Sequence, residues 1–284
     1  MVSVIIAAHD EEAVIGSCLD AVRDQRTTRP LEVVVSANGC TDRTAEVAAG
    51  YHVIVVDRAQ PGKPAALNAA EQVTTSFPRV YLDADIVLPL DAIERVVTVL
   101  EESPGALAAV PRRLVATDGR PLLVRAYFAI NERLPAFRDG LFGRGMITLS
   151  EAGRARFREF PTLIADDLFV DSVFSDAEKV EARGVEVVVQ APYRTRDLLA
   201  RLVRVRRGNA QMRASAEVEV AVRPSDRWAW LRDVVLPEPR LAPAAVPYLA
   251  ITLLAGALAR RPATGWGRDE SSRARLVGSR GSTA

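Results

Sequence analysis

Lysine is almost missing from this chain: Lys63 and Lys179 are the only two among 37 basic side chains, and all the others are arginine. Cysteine is as scarce. Cys18 and Cys40 are too few, and too arbitrarily spaced, for a disulfide framework or a zinc site, so a small stapled fold is excluded and a reducing compartment is the default. No Gly-x-Gly-x-x-Gly follows the first strand-like run, which argues against a dinucleotide-binding dehydrogenase. The opening MVSVIIAAHDEE has neither a basic n-region nor a small-residue cleavage site, so it is not expected to be a signal peptide. There is no internal repeat, and no low-complexity tract before residue 262.

What remains is an ordinary folding composition. With 284 residues, 49% apolar and 26% charged, the chain has room for one large α/β domain with appendages or for two small domains. Its net charge of +1 hides an asymmetry: residues 1–189 carry 20 basic and 28 acidic side chains, whereas residues 190–284 carry 17 arginines and 8 acids. A basic C-terminal third can attract phosphates, anionic lipid or nucleic acid, although dispersed charge is more commonly a solvated face.

Short β-branched runs alternate with helix-period stretches. Residues 2–8, 31–36, 52–56 and 79–83 read as strands, the first three nearly continuous in apolar residues and so expected to be buried. Between them, Val14, Ile15, Cys18, Leu19 and Val22 form a helical stripe, as do Ile93, Val96, Val97 and Leu100. This order predicts an α/β fold with a mainly parallel sheet flanked by helices, in which ligands sit beyond the carboxyl ends of the strands. Polar groups cluster at those ends: His9-Asp10-Glu11-Glu12, SANGCTDRT at 36–44, DRAQPGKPAALNAA at 57–70, and Asp83-Ala84-Asp85. Any one of them could be a helix cap or a turn, but all four follow a strand. Asp-x-Asp at a strand end suits a hard divalent cation, which takes oxygen ligands from one or two carboxylates and from substrate phosphates.

Taken in order, SVIIAAHDEE, VVVSANGCTDRT, GKPAALNAA, YLDAD, GLFGRGMITLS, IADDLFV and RLVRVRRGN resemble the motifs of family 2 glycosyltransferases with the GT-A fold, over roughly residues 2–210. The resemblance implies a Rossmann-like catalytic domain, a nucleotide-diphospho-sugar donor, a hydroxyl acceptor on a glycan, lipid or small molecule, Mg2+ or Mn2+ as cofactor, and inversion at the anomeric carbon. It places Ala8, His9 and Glu11 along the nucleoside, and Asn38 towards the base, where the family often has an acidic pair. Lys63 would face the nucleotide or its diphosphate, Asn68 would steady that loop, and Asp42 would cap the next helix. Asp83 would contact the nucleotide or bound water, and Asp85 would be the principal metal ligand. Asp167 would be the general base, because an acceptor hydroxyl is a poor nucleophile unless a carboxylate takes its proton. Asp166 stands where the family usually has Glu. Gly143, Arg144 and Gly145 would form the acceptor-side loop. Arg201, Arg204 and Arg207 share one helix face; of these, Arg204 and Arg207 would serve the diphosphate, or else the stripe would face lipid headgroups. Only the Arg of the processive Gln-x-x-Arg-Trp motif is kept here, and multiple membrane helices are lacking, so processive polymer synthesis is not expected.

Residues 241–259 are uncharged, close to the ~20 residues a bilayer span requires. Pro243 and Pro247 are expected to leave a clean helix of only 12 residues, Tyr248–Ala259, which fits a membrane-docking segment better than a full span, with soluble packing as the further option. The expected organisation is a catalytic domain at 1–215, a helical membrane-associating extension at 216–261, and a poorly ordered Gly/Ser/Arg-rich tail at 262–284. The chain is then expected in the cytoplasm, at the cytoplasmic face of the membrane. Two other classes compete: a nucleotide-sugar-binding module with impaired catalysis, suggested by Ala37 and Asp166, and a nucleic-acid or anionic-lipid binder using the Arg-rich helix. The latter gives no reason for carboxylates at strand ends, and no nucleic-acid partner is expected.

Overall fold

The structure, a computed structural model, describes residues 1–162, 166–214 and 226–261. Seven strands, β1 (Val2–Ala8), β2 (Leu31–Asn38), β3 (Ile54–Arg58), β4 (Arg79–Asp83), β5 (Ala108–Ala116), β6 (Met146–Leu149) and β7 (Lys179–Gln190), form one sheet in the order β3-β2-β1-β4-β6-β5-β7. Only β6 runs antiparallel to its neighbours. The helices are α1 (Ile15–Arg23), α2 (Thr44–Ala49), α3 (Lys63–Val73), α4 (Ala92–Glu102), α5 (Leu122–Asn131), α6 (Pro135–Asp139), α7 (Glu151–Arg154), α8 (Asp166–Val173), α9 (Thr195–Ala214) and α10 (Ala242–Ala259).

The first three strands step outward on one side of β1, and the chain then returns to lay β4 on the other side. Strand order reverses between β1 and β4, and a crevice opens at such a reversal beyond the strand ends. Side-chain alternation along β1 feeds two layers. Val2, Val4 and Ile6 pack with the predicted stripes of α1 and α4, whereas Ile5 packs with Leu67 and Ala70 of α3 and with Leu168, Phe169 and Val170 of α8. A third cluster joins α5, α9 and α10 through Val124, Tyr127, Leu198, Ala245, Tyr248 and Ile251.

Three expectations need correction. β3 is an edge strand rather than a buried one, and Ile54 is exposed, because among the described residues no strand covers its far side. β5 and β7 escaped the sequence reading because Pro111, Arg112 and Arg113 interrupt the apolar pattern of one, while the other alternates with charged residues and contains a register shift opposite Pro111 and Arg112. The last helix runs unbroken through Pro247 for 18 residues, about 27 Å. Pro243 lies in its first turn, where no N–H partner is lost, and the buried faces of Ala245 and Tyr248 hold the turn around Pro247. The expected boundary at 215/216 and the tail at 262–284 lie outside the described residues, as do positions 163–165 of the IADDLFV motif.

Candidate active site

The crevice is built from three chain segments that meet at one ammonium group. Asp83 ends β4, Lys63 opens α3, and Asp166 with Asp167 opens α8. Lys63 Nζ lies 2.9 Å from Asp83 Oδ1, 2.9 Å from Asp166 Oδ2 and 3.8 Å from Asp167 Oδ1. Ala7, Lys63, Asp83, Gly145, Asp166 and Asp167 line a common cavity. Burial opposes the charge on Lys63, but Asp166, Asp83 and Asp167 together outweigh it and hold the ammonium well above the usual lysine value. Burial pushes the Asp167 carboxyl above the usual aspartate value; Lys63 pulls it back, and neighbouring Asp166 raises it again. Both acids sit in the first turn of α8, where the helix dipole favours negative charge.

Backbone ties hold these groups in place. Asn38 is buried; it donates to the Ala8 carbonyl at 2.6 Å and accepts from the Gly62 N–H at 2.8 Å, so it couples the ends of β1 and β2 to the turn before Lys63. Asn68 exchanges two hydrogen bonds with the backbone of Phe160, fixing α3 to the segment that leads into α8. The Gly143 N–H donates to Asp167 Oδ2 at 3.3 Å, and one turn along α8 the Leu141 N–H donates to Asp171, which also pairs with Lys179 at 2.9 Å. Each of the two lysines of the chain therefore pins a carboxylate of α8. Gly145 has φ +74°, accepts from the Asp83 N–H, and would place a Cβ 2.6 Å from Ile86. Asp42 accepts from Thr44 N–H at the start of α2.

The sequence model described as Glycosyl transferase family 2 matches residues 3–159, more than half of the chain. The chain belongs to glycosyl transferase family 2. No curated protein matches it in sequence. Among solved structures it is similar to a mannosyltransferase from Pyrobaculum calidifontis in complex with GDP-Man and Mn2+, at 23% identity and a TM-score of 0.61 over 98% of this chain and 78% of that one. It is also similar to mannosyl-3-phosphoglycerate synthase from Rubrobacter xylanophilus, at 19% identity and a TM-score of 0.55 over 82% and 80% of the two chains. These likenesses place the glycosyltransferase in the GT-A fold.

The fold gathers some of the expected residues and sends others elsewhere. His9 and Glu11 follow β1 directly; Glu11 is buried, and its N–H donates to Thr44 Oγ1 at 2.7 Å. Asp85 lies exposed in the turn after Asp83, and Asp83 faces the cavity. These carboxylate oxygens are a hard donor set, which suits Mg2+ or Mn2+. Arg144, expected in the acceptor-side loop, has its guanidinium turned into that loop's own backbone. It is buried, bonded to the carbonyls of Gly140, Pro111 and Arg138, and paired with Glu181, because a guanidinium with five donors can staple a loop. Arg207, expected towards the diphosphate, donates to the carbonyls of Leu258, Ala259 and Arg261 at the end of α10. Arg204 is half-buried on the same helix.

Sequence reasoning missed two groupings. His9, Asp10 and Cys40 bring a nitrogen, an oxygen and a sulfur within 4.8 Å across the ends of β1 and β2, a proximity with no spacing signature. Arg113 of β5 lies beside Gly143, and only the tertiary fold reveals that neighbour.

Proposed function

We propose that this glycosyltransferase moves a sugar from a nucleoside diphosphate to an acceptor hydroxyl with inversion at the anomeric carbon, and that Mg2+ or Mn2+ is its cofactor. The observation that carries this reading is the Lys63 bridge: one cation joins Asp83 on the β4 side with Asp166 and Asp167 on the α8 side, so both carboxylate groups border a single cavity. Ala8, His9 and Glu11 border the nucleoside, and Asn38 positions the turn before Lys63. Asp83 and Asp85 hold the metal-bearing diphosphate. A bound divalent cation supplies positive charge against the phosphates as the leaving group departs.

Asp167 takes the acceptor proton while the acceptor oxygen attacks the anomeric carbon from the face opposite the diphosphate. The new C–O bond forms as the old one breaks, its electron pair leaves with the diphosphate, and configuration inverts. A carboxyl pKa raised by burial strengthens Asp167 as a base. The Gly143 N–H holds Asp167 Oδ2 in place, and Gly145 lines the same cavity.

Residues 1–215 form the catalytic domain in this reading, and 216–261 a membrane-associating extension at the cytoplasmic face. In support, α10 belongs to an apolar stretch, Pro239–Ala259, with an 18-residue window of mean hydropathy 1.8, yet one of its faces packs on α5 and α9 while another is exposed. Val246 (71% exposed) and Leu253 (69%) face outward, and Leu122 at the start of α5 is 77% exposed. Leu122, Leu123, Pro243 and Pro247 line one groove with Arg125 and Arg133, a combination suited to acyl chains beneath anionic headgroups. By length and composition this helix could cross a bilayer, and its packing along one face on α5 and α9 is what favours docking in the membrane plane in this reading.

The deciding experiment is a thermal-shift screen of UDP, GDP and dTDP sugars with Mn2+, followed by diphosphate release with candidate acceptors. One donor class should raise the melting temperature, and its diphosphate should be released. Binding without release under any acceptor would instead identify a binding-only module, and no binding at all would refute the donor site.

A further inference from the structure

We propose that His9, Asp10 and Cys40 form a binding site for a thiophilic divalent cation of the Zn2+ class, distinct from the oxygen-only set of Asp83 and Asp85. A ring nitrogen, a carboxylate oxygen and the sulfur of the three lie within 4.8 Å of one another, and all three residues are half-buried. Strand register brings them together. β1 and β2 run parallel with Ala8 opposite Ala37, so residues 9–10 and 38–41 leave the sheet side by side. Gly39, at φ +62°, bends the second segment, and Cys40 Sγ comes within 3.7 Å of the Ala8 carbonyl. The Thr41 N–H donates to Asp10 Oδ1 at 2.7 Å, which fixes the carboxylate with Oδ2 4.0 Å from His9 Nε2.

The donor set selects the ion. Tetrahedral Zn2+, with bonds of about 2.0–2.3 Å, spaces its ligand atoms roughly 3.3–3.7 Å apart, so side-chain rotations that close the gaps by about 1 Å complete the geometry without moving either strand. Thiolate and imidazole favour Zn2+ over Mg2+ and Mn2+, and a thiolate with a carboxylate balances its two positive charges. His9 is an independent sign of a ligand. Among the described residues neither of its ring nitrogens is hydrogen-bonded: Nδ1 is buried without a partner, and Nε2 stands beyond hydrogen-bond reach of Asp10. A buried polar atom left unpaired is costly, and coordination through the ring offsets that cost. Three protein ligands leave a fourth position to water, the pattern of an exchangeable ion rather than a structural one. Coordination releases the Cys40 thiol proton to solvent, so affinity rises with pH until the thiol is ionised. Because His9 borders the nucleoside in the proposed function, a cation held there occludes the donor; this consequence rests on that reading, and the cation site does not.

The test uses the full chain, stripped of metal with EDTA and exchanged into excess Mg2+ to occupy the carboxylate site, with Co2+ as a spectroscopic stand-in for Zn2+. A thiolate-to-Co2+ charge-transfer band should appear in wild type and in Cys18→Ala, whose thiol is fully buried away from the cluster, and should be absent in Cys40→Ser. In isothermal titration Zn2+ should bind wild type and lose about tenfold or more in affinity in Cys40→Ser and in His9→Gln. Two variants guard against a folding failure in either, and their metal-free melting temperatures check it. An absent band in wild type, a band that survives Cys40→Ser, or Zn2+ affinity unchanged in both variants would overturn the site. Saturating Zn2+ should also weaken the nucleoside diphosphate selected by the donor screen by about tenfold or more. Zn2+ bound through Cys40 with nucleotide affinity unchanged would overturn the occlusion and move the nucleoside away from His9, leaving the cation site standing. No nucleotide enters the cobalt measurement, so a failed donor site and a failed cation site give different results.

Discussion

In the variant Asp167→Asn the side chain keeps its shape and loses both its charge and its capacity to take a proton. A positioned general base contributes roughly 10²–10⁴-fold, so transfer should fall by about that factor with donor affinity little changed. Stability should move in the opposite direction. Burial raises the Asp167 carboxyl pKa in the folded protein despite the opposing pull of Lys63. An ionised Asp167 is therefore less favourable in the folded chain than in the unfolded one. That penalty is present above the folded pKa and disappears as pH falls below the unfolded value, where both states are protonated. Asparagine carries no charge to desolvate, and it can still accept from the Gly143 N–H. The side chain is 35% exposed, and water screens the effect, so the gain at neutral pH should stay below about 1 kcal/mol. Such a gain raises the melting temperature by no more than about 3 °C. Scanning calorimetry between pH 3 and 8, combined with diphosphate release, measures both quantities. Normal turnover by the variant would remove Asp167 as the base. A loss of stability at pH 7 would show that the carboxylate chiefly braces Lys63, reversing the sign of the reasoning.

Lys63→Met removes the counter-ion shared by three carboxylates; at 3.8 Å in a water-rich site the lost attraction on Asp167 is about 1 kcal/mol, so the acid limb of the kcat profile should move up by about one pH unit. An unmoved limb would separate Lys63 from the base. Gly145→Ala combines a left-handed backbone with a Cβ 2.6 Å from Ile86 and should destabilise by about 1–3 kcal/mol in urea denaturation, with Ile86→Ala returning only the steric part. Arg144→Met strands Glu181 and three carbonyls and should lower stability by about 3–5 kcal/mol, and Arg144→Lys should not restore it, because one ammonium cannot span those partners. Val246→Glu with Leu253→Glu should abolish co-sedimentation with anionic vesicles while leaving thermal stability unchanged; undiminished sedimentation would exclude this face of α10 as the lipid contact.

Elements with a single periodicity were legible before any coordinates. The buried runs of β1, β2 and β4 and the stripes of α1 and α4 are local patterns, and each carries its own hydrophobic signal. Strand ends with polar loops mark where a parallel sheet opens, so Asp83, Asp85 and Lys63 could be singled out, while the Asp166-Asp167 pair, which opens a helix, came only with the ordered motifs that pointed to the family. The roles of the arginines could not be read in this way. Arg144 and Arg207 look in the chain like binding residues, yet one staples a loop and the other closes a helix end, because a guanidinium takes its function from whichever carbonyls the fold leaves unsatisfied. β5 and β7 were obscured by arginines and a bulge, and α10 ran on through a proline that packing tolerates.

The amino-acid order by itself determined the α/β architecture, the rim on which chemistry could occur and the family, since these depend on residues close together in the chain. Only the tertiary structure decided that Lys63 bridges acids more than 100 positions away and that Arg113 reaches the glycine beside Asp167. Electrostatic partnership depends on distance in space, and that distance is settled only when the sheet brings its loops together.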